Sequence, residues 1–221
     1  MHKYETSKND SFRISSAKIA VGVVGARGYS GLDLARILLA HPDAELKACF
    51  AQTSSTAPGS SGKNSFALSD YLPEASAASV PTLEMSEISQ AVKTLGLKTL
   101  FLATPADVSL ELAPRLLALG VDVIDLSGAF RLEAGQYPEW YALHHTSPEL
   151  LKEAHYGLVP WAGPAAKTSL GGHLIANPGC YATSVLMAIL PLLKEKIIQP
   201  ASIVIDSKSG TSGAGKKTSE A

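Results

Sequence analysis

Short unbroken apolar runs alternate along this chain with stretches of helical apolar spacing, beginning at Lys18. The run Ile19-Ala20-Val21-Gly22-Val23-Val24-Gly25 is compact and β-branched, as a strand buried on both faces must be. A glycine-rich turn follows, and then Leu32, Leu34, Ala35, Ile37, Leu38 and Leu39 at helical spacing up to His41-Pro42. Further strands are predicted over 45–52, 98–103 and 121–127, with a helix over 106–119 that stops at Gly120. The run from His173 to Ala176 reads as a strand, 181–196 as a helix carrying Val185, Leu186, Ile189, Leu192 and Leu193, and 202–206 as a last strand. Between 56 and 90 the pattern is weak, with Pro73, Pro81 and Gly-Ser clusters, which predicts a loop with one short strand and a short helix. Residues 132–164, rich in aromatics, prolines and histidines, read as a connection toward a second domain.

Strands alternating with helices imply an α/β fold, a doubly wound parallel Rossmann-like sheet with right-handed crossovers. Residues 1–17 are polar and aperiodic, a disordered lead-in. The dinucleotide-binding domain is expected over 18–164 and the start of an α+β catalytic domain over 165–221. In such sheets ligands gather at the carboxyl ends of the strands.

Composition narrows the partners. With 221 residues, 46% of them hydrophobic, and a net charge of -1, the chain reads as globular and offers no basic surface for nucleic acid. No apolar window approaches the roughly 18 residues of a membrane-spanning helix. The polar N-terminus has no signal-peptide core, so the expected location is cytoplasmic. Two cysteines, Cys49 and Cys180, lack metal-ligand spacing and are expected to be reduced, with no metal site. Cys49 lies inside a strand-like apolar run and reads as core.

The candidate chemistry sits at the predicted strand ends. Glycines 22, 25, 28 and 31 allow a pyrophosphate to approach a helix N-terminus, or simply allow strand and helix to pack closely. The second strand ends in Gln52-Thr53-Ser54-Ser55-Thr56 rather than in Asp or Glu, which favours NADP over NAD, although no arginine is nearby in sequence. Thr104-Pro105 and Ser127-Gly128 lie at strand ends as cofactor or substrate contacts, and Arg131 is a candidate partner for an anionic substrate. His144, His145 and His155 are read as structural rather than as acids or bases. Cys180 follows Asn177-Pro178-Gly179 and falls in or just before a helix's first turn. There it is either a small buried hydrophobe or a thiol biased toward its nucleophilic thiolate form. The loop from Lys208 to Lys217, dense in glycines and hydroxyls, offers amides and ammoniums to an anion.

Gly25-Ala26-Arg27-Gly28-Tyr29-Ser30-Gly31, Asp125-Leu126-Ser127, Phe130-Arg131-Leu132, Tyr156-Gly157-Leu158, Asn177-Pro178-Gly179-Cys180-Tyr181 and Ser209-Gly210-Thr211-Ser212-Gly213-Ala214-Gly215 occur in this order. Over residues 18–217 the chain closely resembles the N-acetyl-γ-glutamyl-phosphate reductase family of the semialdehyde dehydrogenase type. The resemblance implies NADPH-dependent reduction of an acyl phosphate to N-acetylglutamate 5-semialdehyde with release of phosphate, a step of arginine biosynthesis. Cys180 is then the nucleophile that forms a thioester. The cofactor contacts are Gly25, Arg27, Gly28, Tyr29, Ser30, Gly31, Ser54, Thr104, Pro105, Ser212 and Gly213, and the substrate contacts Ser127, Arg131, Asn177 and Lys208.

Three departures from the family pattern affect local geometry: Ala129 stands where an Asp is usual, Val159-Pro160-Trp161 lacks an acid, and Ala106 replaces a histidine. Family members are longer, and their general-base histidine lies beyond the Ser-Gly-Ala-Gly loop, so these residues alone are not expected to form a fully active enzyme. A homo-oligomer is expected at full length. Two rivals remain, an aspartate-semialdehyde dehydrogenase-type reductase and a catalytically inactive dinucleotide-binding module.

Overall fold

The computed structural model describes residues 17–52 and 66–210. Its elements in chain order are β1 (Ile19–Val24), α1 (Tyr29–Leu39), β2 (Ala44–Ala51), β3 (Thr82–Glu84), α2 (Ile88–Thr94), β4 (Thr99–Leu102) and α3 (Ala106–Leu117). There follow β5 (Asp122–Asp125), α4 (Tyr137–Tyr141), α5 (Pro148–Leu151), β6 (His155–Tyr156), β7 (Leu174–Ala176) and α6 (Cys180–Lys194).

The strands form one sheet in the order β3-β2-β1-β4-β5-β7-β6, and every pairing is parallel. The chain winds outward from β1 through β2 to β3, then returns to the other side of β1 as β4, so the winding reverses between β1 and β4. A crevice opens at such a reversal, at the carboxyl ends of the two strands. Val24, Phe50, Leu100 and Leu102 pack on one face against Ala91, Val92, Ala113, Leu116 and Leu117 of α2 and α3. Val21, Val23 and Cys49 pack on the other against Ala35 and Leu38 of α1 and against Leu68 and Leu72. Burial on both faces is why these strands read as unbroken apolar runs rather than as alternating ones.

Two readings change. The predicted strand over 202–206 is instead a single 3₁₀ turn, Pro200–Ser202, followed by exposed chain in which Val204 is 92% accessible. A strand exists only where a neighbour accepts its ladder hydrogen bonds, and no strand among the described residues lies beside it. Residues 132–164 are more than a connection: they hold α4, α5 and the edge strand β6, which pairs with β7. Tyr137 anchors this segment, its ring fully buried and its hydroxyl oxygen accepting the Leu132 amide at 3.1 Å. α6 contributes no buried residue, and Tyr181, Met187 and Leu192 stand exposed along it. Among the described residues, no helix is long and apolar enough to cross a membrane.

Candidate active site at the carboxyl edge of the sheet

Gly25 leaves β1 with φ +86°, in the left-handed region, and its amide donates to Phe50 O at 2.8 Å. A Cβ at Gly25 would stand 2.4 Å from Ala103 O, and one at Gly31 would stand 2.4 Å from Gly25 O. The first absence lets the loop pass under the end of β4, and the second seats the first turn of α1 on that loop. Gly28 caps α1 without any side-chain hydrogen bond, and a Cβ there would meet only Gly25 O, at 3.5 Å. The loop therefore has the backbone cradle and the open helix N-terminus that a pyrophosphate requires, and a dinucleotide fits it. Tyr29 and Ser30 open α1 on its exposed side.

Arg27 reaches back from this loop to Gln52 O, 3.5 Å away at the end of β2. The sequence showed no arginine near that strand end; the fold brings one there, because β1 and β2 are neighbours and their carboxyl ends lie side by side.

At the other side of the edge, Arg131 joins two strand ends. Its Nε donates to Asn177 O at 2.8 Å, just past β7, and one Nη donates to Leu126 O at 2.7 Å, just past β5. The other Nη lies 3.1 Å from where a Cβ on Gly179 would stand. The guanidinium thus braces the Pro178-Gly179-Cys180 turn from below. Asn177 serves through its backbone, donating its amide to Asp125 O at 2.9 Å, while its side-chain amide turns to Pro178 O at 3.1 Å.

Cys180 is the first residue of α6, with Gly179 as the cap, and its side chain is exposed. Gly179 O accepts both the amide and the hydroxyl of Thr183, at 2.8 and 2.9 Å, which closes the first turn. The thiol lines a cleft of about 510 Å³ with Arg131, Leu132, Tyr141, Tyr156 and Tyr181. Arg131, Leu132 and Tyr156 also line an adjoining cleft of about 790 Å³ that runs toward Lys152. Cys49 differs on both counts: it is fully buried, and desolvation pushes its thiol up to about 12.

The hydroxyls at the strand ends have partners within the protein. Ser127 Oγ donates to Asp125 Oδ2 at 2.7 Å and accepts the Ala129 amide at 3.0 Å, so its proton is engaged within the protein. Thr104 Oγ1 lies 2.8 Å from the buried Ser109 Oγ, and Pro105 caps α3 on the surface. Lys208 pairs with Asp206 on exposed chain and lines neither cleft. Ser54, Ser212 and Gly213 lie outside the described residues. Tyr141 was not singled out in the sequence, and Tyr156, Leu132 and Asp125 stand there only within motifs, with no role of their own. An Asp closing an apolar parallel strand was the available signal for Asp125, whereas the two tyrosines reach the cleft from elements too short to show a period.

His145 is a fixture of the same turn. Its Nδ1 accepts the Ser147 amide at 3.2 Å, so the proton resides on Nε2, which donates to Ala129 O at 2.9 Å. Its ring packs against Phe130 and Tyr137. Desolvation lowers its pKa, outweighing the bond to Ala129. The unfolded chain then binds the proton first as pH falls, so the stability His145 contributes is complete above its ordinary value of about 6.5 and is lost below it. Melting temperature is expected to fall between pH 7.5 and 5.5, and His145→Gln to flatten that slope. An equal slope in the variant would show that other groups cause it.

Residues 20–169 match the family model described as semialdehyde dehydrogenase, NAD binding domain, and residues 180–221 match the semialdehyde dehydrogenase dimerisation domain. The curated N-acetyl-gamma-glutamyl-phosphate reductase of Bacillus mycoides is 41% identical over 199 residues, 89% of this chain and 53% of that protein. Its counterpart from Herminiimonas arsenicoxydans is 40% identical over 200 residues, 90% of this chain and 54% of its own length. The chain spans about half the length of the curated relatives it matches. Among solved structures, aspartate semialdehyde dehydrogenase with NADP from Candida albicans superimposes with a TM-score of 0.51 at 17% identity, over 81% of this chain and 48% of that one. That likeness is one of fold. With the dinucleotide loop, the strand order and the family match in agreement, this chain belongs to the semialdehyde dehydrogenase family.

Proposed function

We propose that this chain carries the cofactor-binding and nucleophile-bearing part of an NADPH-dependent N-acetyl-γ-glutamyl-phosphate reductase. The observation that carries this reading is the place of Cys180, an exposed thiol opening α6 in a cleft shared with Arg131. That cleft lies on the same sheet edge as the glycine loop. β7 is three strands from β1, about 14 Å at ordinary strand spacing, a distance an extended dinucleotide spans. Residues 18–164 hold the dinucleotide and 165–221 bring in the thiol, although β7 completes the sheet of the former.

In this reading Sγ of Cys180 attacks the acyl carbon, the bond from that carbon to the phosphate oxygen breaks, inorganic phosphate leaves and a thioester remains. The amides of Cys180, Tyr181 and Ala182, which have no acceptor within the helix, offer donors to the charge that develops on the carbonyl oxygen. Arg131 keeps the turn rigid and presents its remaining Nη to the leaving phosphate. When bound, NADPH would supply the hydride to the acyl carbon; the carbon–sulfur bond breaks, Cys180 returns as its thiolate and the aldehyde leaves. The exposed apolar residues of α6 and the match to a dimerisation domain support a homo-oligomer at full length. A biosynthetic reductase with a reduced thiol belongs in the cytoplasm.

Incubation with N-acetylglutamyl phosphate in the absence of NADPH is expected to leave an acyl adduct on Cys180, seen by mass spectrometry, and none on Cys180→Ala. Faster acylation by aspartyl phosphate would favour the related substrate. NADPH binding with no adduct from either would favour the inactive module. The preference for NADP rests on Arg27 beside the end of β2, where the 2′-phosphate of such a cofactor lies. Arg27→Ala is expected to weaken NADPH binding, followed by fluorescence titration, by about 10- to 100-fold, the value of one charge-assisted contact, and to leave NADH binding unchanged. Equal losses for both cofactors would remove that assignment.

A further inference from the structure

The backbone does not call for glycine at position 128. Its φ lies outside the left-handed range, so no such strain would attend a side chain there. The space for one, however, is taken. A Cβ at Gly128 would stand 2.1 Å from Cε1, 2.3 Å from Cζ and 2.5 Å from Oη of Tyr141. The phenol end of Tyr141 therefore rests on the Ser127-Gly128 turn, in a seat that any larger residue would fill.

Both the seat and the ring are held. The turn is fixed by the Ser127 hydroxyl on Asp125 and by the Ala129 amide on Ser127 Oγ. The Tyr141 ring lies 5.7 Å, centroid to centroid, from that of the fully buried Tyr137. The two tyrosines differ at their hydroxyls: Tyr137 Oη accepts the Leu132 amide, whereas no hydrogen bond within the described residues engages Tyr141 Oη. Tyr141 lines the cleft of the Cys180 thiol. A fixed ring with an unspent donor beside a nucleophile is preorganised to meet an oxygen of a ligand.

The donors of this cleft come from two sides. The first amides of α6 lie on the side of Cys180, and Arg131 and Tyr141 are both carried by the turn that follows β5. Arg131 has Nε and one Nη engaged on Asn177 O and Leu126 O, which leaves little of the guanidinium for a phosphoryl group with three acceptor oxygens.

We propose that Tyr141 is a substrate-binding residue whose hydroxyl donates to a phosphoryl oxygen of the acyl phosphate beside Arg131, and that Gly128 is the seat that places it. The inference rests on the reading above, in which an acyl phosphate reacts at Cys180. As Sγ bonds to the acyl carbon, the bond from that carbon to the bridging oxygen breaks with its electron pair on phosphate. Tyr141 keeps its proton, and its hydrogen bond strengthens as that charge grows.

The test measures, by mass spectrometry, the rate at which Cys180 is acylated by N-acetylglutamyl phosphate and by acetyl phosphate, which shares only the reacting group. Alkylation by iodoacetamide, which carries no phosphate, is the control. Tyr141→Phe keeps the ring and removes only Oη; it is expected to slow both acylations by about 10- to 100-fold and to leave alkylation and the urea midpoint unchanged. Gly128→Ala displaces the exposed ring and is expected to slow both acylations in the same way, with the double variant no slower than the slower single one. Native acylation rates in Tyr141→Phe overturn the proposal. A loss confined to N-acetylglutamyl phosphate, or one shared with iodoacetamide, overturns the contact with phosphate, and native rates in Gly128→Ala overturn the seat. Absence of any adduct on the native chain overturns the acylation reading instead. Protection of Cys180 from iodoacetamide by inorganic phosphate then decides: protection weakened in Tyr141→Phe upholds the contact, and protection equal in both chains or absent from both overturns it.

Discussion

Gly25→Ala is expected to destabilise the chain by about 2–6 kcal/mol and to abolish dinucleotide binding. Two costs add. The backbone at φ +86° is strained for any residue with a Cβ, at about 1–3 kcal/mol, and the added methyl would stand 2.4 Å from Ala103 O. The end of β4 is held by the bond from the Ala103 amide to Val24 O at 2.8 Å, so neither strand can retreat without breaking the ladder that forms the crevice. Against a typical stability of about 5–15 kcal/mol this is a large fraction. Gly120→Ala isolates the first cost: φ there is +74° with nothing within 4 Å of a Cβ, so its expected loss is about 1–2 kcal/mol. Urea unfolding midpoints compare the two directly, and equal losses would mean that the contact with Ala103 relaxes without cost.

Arg131→Met is expected to slow acylation of Cys180 by about 100-fold or more while lowering stability by about 2–4 kcal/mol. The substitution keeps the apolar stem but removes the donors to Leu126 O and Asn177 O, leaving two partly buried carbonyls without their charged partner. The strand ends that flank Cys180 then keep only the backbone bond from the Asn177 amide to Asp125 O, and a displacement of about 1 Å at a reacting atom is enough for such a loss. Lysine does not substitute, because one ammonium cannot reproduce a planar fork that reaches two carbonyls from different nitrogens. The rate of adduct formation, set beside the urea midpoint of the same variant, separates the two effects. A stability loss without a rate loss would confine Arg131 to bracing the fold.

The sequence by itself determined the elements whose causes are local. β1, the glycine loop and α1 follow from an apolar run, left-handed and close-approach glycines, and a helical stripe, each readable within about twenty residues. The start of α6 was legible in the same way, because Pro178 and Gly179 punctuate the chain and the apolar spacing resumes just after Cys180. What depends on a neighbour was not legible. β6 is two residues long and exists because β7 lies beside it, whereas 202–206 has a strand's composition and no partner strand among the described residues. Arg27 meets the end of β2 across 25 residues and Arg131 meets Asn177 across 46, distances over which no periodicity carries information. Thr104 and Ser127, read as cofactor or substrate contacts, have hydroxyls engaged within the protein, the first by Ser109 and the second by Asp125. A hydroxyl takes its direction from the nearest acceptor, and only the tertiary structure decides which acceptor that is.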